Sequence, residues 1–186
     1  MLELGTPVPR FRLPNVDGRM IADADFPEAR GLLVAFICNH CPFVKHIRAE
    51  FAQFANEYQA RGLAVVAINA NDAHAFPDDS PEAMKKEAAA ARFTFPYLYD
   101  ESQRVAQEFR AACTPDFFLF DKDRRLVYRG RFDGSGPGNN SPVTGTELRA
   151  AVDAALAGRA VPATQKPSIG CNIKWKPGNA PGYFKA

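Results

Sequence analysis

Residues Leu32–Ile37 form an unbroken apolar stretch, entered from Gly31 and followed at once by Cys38, and such a stretch leaves few folds open. A strand with one wet face alternates apolar and polar residues. A short continuous run instead reads as a strand covered on both sides. The longest apolar run, Leu32–Cys38, is seven residues, far short of the roughly 18 that a membrane-spanning helix needs, so no membrane partner is expected. A doubly covered strand requires helices on either face of its sheet, and the neighbouring segments supply them in alternation.

Val44, Ile47, Phe51, Phe54 and Tyr58 recur at spacings of three and four, which predicts a helix from Pro42 that closes at Gly62. Leu63–Ala70 reads as the next strand. Ser80-Pro81-Glu82 opens a second helix, with serine as N-cap and proline in the first turn. Phe95–Tyr99 is a further strand, and Asp100 with Gln103 has the capping-box pattern ahead of a third helix that ends near Ala112. Asp116–Phe120 and Leu126–Phe132 flank the turn Asp121–Arg125 as a hairpin. Thr144 and Glu147 repeat the capping-box pattern before an amphipathic stretch that ends at Gly158. At the N-terminus, Phe11–Leu13 and Met20–Ile21 flank an Asp-Gly turn, the mark of a hairpin. The expected fold is α/β, with a central mixed sheet, helices on both faces and an N-terminal β-hairpin.

The domain so defined spans 1–158, and 159–186 reads as a basic, irregular C-terminal extension packed on it. Beyond Asp153 there is no acidic residue, whereas Arg159, Lys166, Lys174, Lys176 and Lys185 follow. That tail also holds Ile169, Ile173, Tyr183, Phe184 and Trp175, the only tryptophan, which are worth burying. The total of +2 is too small for a nucleic-acid surface, which needs a basic stripe. The 46% hydrophobic and 24% charged shares are those of an ordinary globular chain. The N-terminal residues show no basic patch followed by an apolar stretch, so a cytoplasmic location is expected.

Four cysteines, Cys38, Cys41, Cys113 and Cys171, are unlike a set of structural staples in a reducing compartment. Cys38 and Cys41, two residues apart where a strand gives way to a helix, suggest redox chemistry. Free N–H groups at a helix start stabilise a thiolate, and two intervening residues bring the second thiol beside the first. Cys38 is the expected nucleophile, its pKa lowered further by His40 and the cationic residues after it. Cys41 is the expected resolving thiol.

Further along, Cys113-Thr114-Pro115 leads into the strand of the last hairpin. With the strand, the Cys-x-x-Cys at a helix start and the C-terminal helix, this arrangement resembles the thioredoxin superfamily over about residues 1–158, and is most similar to its redoxin branch, the AhpC/TSA-like and thiol-disulfide reductase-like proteins. The resemblance implies a cis peptide bond before Pro115, with Thr114 and Pro115 binding substrate in an extended form and Cys113 on the rim nearby. Two departures stand out. Where thioredoxins carry a buried carboxylate six residues before the first cysteine this chain has Leu32, and the peroxiredoxin threonine and proline are replaced by Ala35 and Gly31 counted from Cys38, or by Cys38 and Val34 counted from Cys41.

The expected activity is therefore thiol–disulfide oxidoreduction. The Cys38–Cys41 disulfide serves as the only redox group, a protein or small-molecule disulfide is the substrate, and an upstream thiol is the reductant. The alternatives are a thiol-dependent peroxidase or a metal- or copper-binding module using the same cysteines. No metal site is expected, because Cys38, Cys41, His40, His46 and His74 lack the second ligand pair of a structural zinc site. Gly134–Gly138 reads as a flexible loop, and Asn69, Asn71 and Asp72 as a strand-end turn.

Overall fold

The computed structural model describes residues 2–184. It begins with a small antiparallel hairpin, β1 (Arg12–Pro14) and β2 (Met20–Ala22), closed by the turn at Asp17-Gly18. The main sheet is built from β3 (Gly31–Phe36), β4 (Leu63–Asn69), β5 (Tyr97–Tyr99), β7 (Asp116–Phe120) and β8 (Leu126–Gly130), in the order β5-β4-β3-β7-β8. Strands β3, β4 and β5 run parallel, while β7 is antiparallel to β3 and turns back into β8. Between β5 and β7 lies the short β6 (Cys113–Thr114), outside the main sheet.

Every residue of β3 is buried, as its composition demands. Its side chains alternate between two cores. Leu33 and Ala35 pack with α1 (Pro42–Gln59) through Val44, Ile47, Phe51 and Phe54, and with α4 (Thr146–Leu156) through Leu148 and Val152. Leu32, Val34 and Phe36 face the other side, against Val105 and Ala106 of α3 (Arg104–Glu108), with Phe109, Phe11 and Leu13. Aromatic rings carry much of the α1-side core: Phe51 lies 5.3 Å from both Phe95 and Phe117, a separation at which ring edges meet ring faces. The remaining helix, α2 (Pro81–Ala90), is capped by Ser80 as expected, its hydroxyl accepting from the Ala83 N–H. Among the described residues no helix is long and apolar enough to cross a membrane.

Two local expectations change. Gln103 does not complete a capping box with Asp100; it adopts a left-handed backbone at the start of α3 and spends its amide on distant carbonyls of Ala70 and Lys174. Asp100 accepts from the Ala106 N–H instead. At α4 the first helix N–H groups follow Gly145 rather than a Thr144 cap, and the backbone N–H groups of Thr144 and Gly145 both donate to Asp133. Glu147 pairs with Arg131 in a two-point ion pair. The acceptor at α3 is still Asp100, reaching further into the helix, whereas at α4 it is Asp133, brought there by the fold.

The tail is not irregular throughout. Its residues Cys171–Asn172 form a last strand, β9, antiparallel to β6, with Cys113 opposite Asn172 and Thr114 opposite Cys171. Ile173 is buried, the Lys174 N–H donates to Asn71 Oδ1, and the Lys176 N–H donates to Gln103 Oε1. Lys185, one of the cations of the expected basic tail, lies outside the described residues.

Candidate active site

The carboxyl end of β3 delivers Cys38 just ahead of α1, and Cys41 is the N-cap residue of that helix, with extended backbone before Pro42. Pro42 fits there because a first-turn N–H has no helical partner to lose. Both thiols are reduced and buried, with 2% exposure for Cys38 and 0% for Cys41. The loop after β6 closes over them. The Thr114–Pro115 peptide bond is cis, as the resemblance implies. Thr114 touches both sulfurs: its hydroxyl lies 3.2 Å from Cys38 Sγ, and its carbonyl accepts from Cys41 Sγ at 3.2 Å.

The two thiols also hydrogen-bond to each other, so they titrate as one unit. This bond pushes Cys38 up, with burial and the charge of Asp79 adding to the effect. The same bond pulls Cys41 down to about 4, against its own burial. The direction on Cys38 is opposite to the one that the flanking cations led to expect.

His40 sits between the cysteines, with its ring stacked on Phe76 at 5.5 Å and its Nδ1 2.5 Å from Asp79 Oδ2. Asp79 is completely buried. It accepts from the Asn39 N–H at 2.7 Å and from Asn71 Nδ2 at 2.8 Å, so its charge is held by three donors from two segments. Tyr97 completes the shell by donating to Asn39 Oδ1 at 2.9 Å. The reactive atoms of Cys38, His40 and Asp79 all lie within 4.8 Å of one another, close enough to share a proton or to offer three ligand atoms to a metal ion. Asp79 was not found from the sequence. In Pro77-Asp78-Asp79-Ser80 it reads as a turn residue before a helix, and only the approach of Asn39 and Asn71 distinguishes it from Asp78.

Cys113 does not reach the pair. Successive strand residues point to opposite sides, so Thr114 faces the dithiol while Cys113 turns away and donates weakly to the Pro115 carbonyl at 3.7 Å. Burial, with Asp116 nearby, raises its pKa. Cys171 is the thiol that does arrive: β9 lays it beside Thr114, and it packs against the cluster that holds Cys38 and Cys41.

A dithiol at the start of a helix, pressed against a cis-proline loop on a mixed sheet clad by helices on both faces, defines a thioredoxin-like protein of the redoxin kind. The sequence profile described as the AhpC/TSA family matches residues 4–129, and the chain belongs to that family. Among solved structures it is similar to a hypothetical protein of Sinorhizobium meliloti 1021 at 55% identity and a TM-score of 0.94, covering 96% of this chain and 97% of that one. An uncharacterized conserved protein of Geobacillus kaustophilus is similar at 54% identity and a TM-score of 0.93, covering 95% and 94%. A putative thiol:disulfide interchange protein DsbE from Chlorobium tepidum shares the fold at 21% identity and a TM-score of 0.65, covering 84% and 99%. A search of curated proteins finds no match.

Proposed function

We propose that this chain is a thiol–disulfide oxidoreductase working through the Cys38/Cys41 pair in the cytoplasm. One observation carries the reading: two free cysteines meet at the start of α1, one sulfur 3.2 Å from the hydroxyl of Thr114 and the other 3.2 Å from its carbonyl. Cys38, the sulfur with some exposure, attacks one sulfur of a substrate disulfide as its proton passes to Cys41. The substrate S–S bond breaks, a mixed disulfide forms, and the departing substrate thiolate takes the proton from Cys41. Cys41, again a thiolate, then attacks Cys38 Sγ and releases the second substrate thiolate, which is protonated from water. The substrate gains two electrons, the pair becomes a disulfide, and an upstream thiol restores it. Pro115 positions the partner beside Phe43, Ile47 and the exposed Ile169, which line a shallow groove there. The His40–Asp79 dyad lies beside Cys38 and orders the polar side of the pocket around it.

The test is reduction of insulin disulfides driven by a dithiol reductant. Turnover by the native chain and its loss in Cys38→Ser support the reading; undiminished turnover in that variant removes Cys38 as nucleophile. A peroxidase reading has one observation in its favour, since Thr114 supplies through space the hydroxyl that the local sequence lacks. Hydrogen peroxide consumption with a thiol reductant, in the absence of insulin reduction, would establish it. Stoichiometric metal in the purified protein, with neither activity, would instead favour a metal-binding role for Cys38, His40 and Asp79.

A further inference from the structure

The tail brings a third thiol to the dithiol, and its placement is built rather than incidental. In the β6–β9 pairing Thr114 stands opposite Cys171, and the Thr114 carbonyl is also the acceptor for Cys41 Sγ at 3.2 Å. The approach depends on Gly170, where a Cβ would come within 2.0 Å of the Thr114 carbonyl oxygen. On either side the segment is anchored: Ser168 Oγ donates to Asp116 Oδ1 at 2.7 Å, and the Ile173 N–H donates to the Ala112 carbonyl at 3.2 Å. Cys171 packs against the buried cluster that contains Cys38 and Cys41, so the three thiols share one corner of the fold, with the strand that bears Cys171 lying beside the residue that covers Cys41. Of the three, only Cys171 is appreciably exposed.

We infer that Cys171 is a third redox thiol of this site, taking Cys41 over from the Cys38–Cys41 disulfide so that a Cys41–Cys171 bond carries the oxidation outward to where a reductant reaches it. The inference rests on the proposed function for its first disulfide. In the exchange, the Cys171 sulfur attacks Cys41 Sγ, the Cys38–Cys41 bond breaks, and Cys38 leaves as the thiolate and takes up the proton that Cys171 gives away. No electrons are gained or lost in that step. A thiol or dithiol reductant then attacks Cys171 Sγ, releases Cys41, and a second reductant thiol releases Cys171 with the reductant left as a disulfide.

The electrostatics give the order of events. Burial raises the Cys171 pKa to about 11, and the hydrogen bond and negative charge of Cys41 contribute, with Lys174 opposing them. Once Cys41 is bonded to Cys38 it carries no charge, so two of the influences that keep Cys171 protonated vanish. Cys171 therefore becomes a better nucleophile only when the pair is oxidised.

The test uses the full chain, reduced and then treated with one equivalent of diamide, trapped with N-ethylmaleimide and mapped by peptide mass spectrometry. The native protein should show the peptide carrying Cys38 and Cys41 cross-linked to the one carrying Cys171. Cys38→Ser should still form one internal disulfide, Cys41–Cys171, although its insulin turnover is lost. Cys171→Ser should keep its circular dichroism spectrum and form Cys38–Cys41, but its reduction by a dithiol protein should slow at least tenfold. Native protein with only the Cys38–Cys41 bond, together with three free thiols in oxidised Cys38→Ser, would overturn the inference, as would re-reduction of Cys171→Ser at the native rate. Insulin turnover by Cys38→Ser would sink the proposed nucleophile while leaving the cross-link result to decide the role of Cys171.

Discussion

Asp116→Asn isolates a buried carboxyl at the foot of the cis-proline loop. Asp116 follows Pro115, lies opposite Phe36 in the β3–β7 register, and accepts from Ser168 Oγ at 2.7 Å and from the Ala112 N–H at 3.4 Å. Burial pushes its pKa up from 3.8 to about 7, with the hydrogen bonds and Arg129 only partly opposing. Because the folded value lies above the unfolded one, the folded state holds a proton that the unfolded state has lost between about pH 4 and 7. Stability from this group is present at the acidic end of that window and disappears as pH rises through about 7. At about 1.4 kcal/mol per pH unit the full effect is about 4 kcal/mol, of which about 2.5 kcal/mol falls between pH 5 and 8. Asparagine imitates the neutral acid and cannot titrate. Urea denaturation of both proteins under reducing conditions, at intervals from pH 5 to 8, should show the native chain losing about 2.5 kcal/mol relative to the variant, steadily up to about pH 7 and levelling off above it. A stability difference that stays constant across this range would mean that the carboxyl is effectively solvated, and the argument from burial would fail.

Asp79→Asn leaves one oxygen acceptor where three donors converge, so the variant should lose about 2–3 kcal/mol in denaturant titrations. With the Asp79 charge gone, the pH profile of Cys38 alkylation should move to lower pH; an unmoved profile would show that this charge does not act on Cys38. Gly170→Ala forces the tail off the Thr114 carbonyl, so iodoacetamide labelling of Cys41 should accelerate several-fold while the main sheet keeps its circular dichroism. Unchanged labelling would show that β9 does not shield the pair.

The large pieces of the fold were written locally. A short apolar run without alternation, entered from Gly31, reads as a strand covered on both faces, and β3 divides its side chains between two cores accordingly. The three-and-four spacing of Val44 to Tyr58 needs no partner to declare a helix, and the cysteines lie in the turn just ahead of it, with Cys41 as its N-cap. The Asp100–Gln103 and Thr144–Glu147 patterns misled because Gln103 and Glu147 each found a partner that only packing supplies, the Ala70 and Lys174 carbonyls for one and Arg131 for the other.

What the sequence by itself determined, then, is whatever depends on neighbours within one or two turns: strand, helix and the dithiol between them. The tertiary structure alone decided that Asp79 rather than Asp78 stands beside Cys38, and that Cys171 rather than Cys113 lies beside the residue that covers the pair. Each of those outcomes depends on burial and on contacts between segments from 39 to more than 70 residues apart. Desolvation and Coulomb energies are fixed by distance in space, and no local pattern encodes that distance.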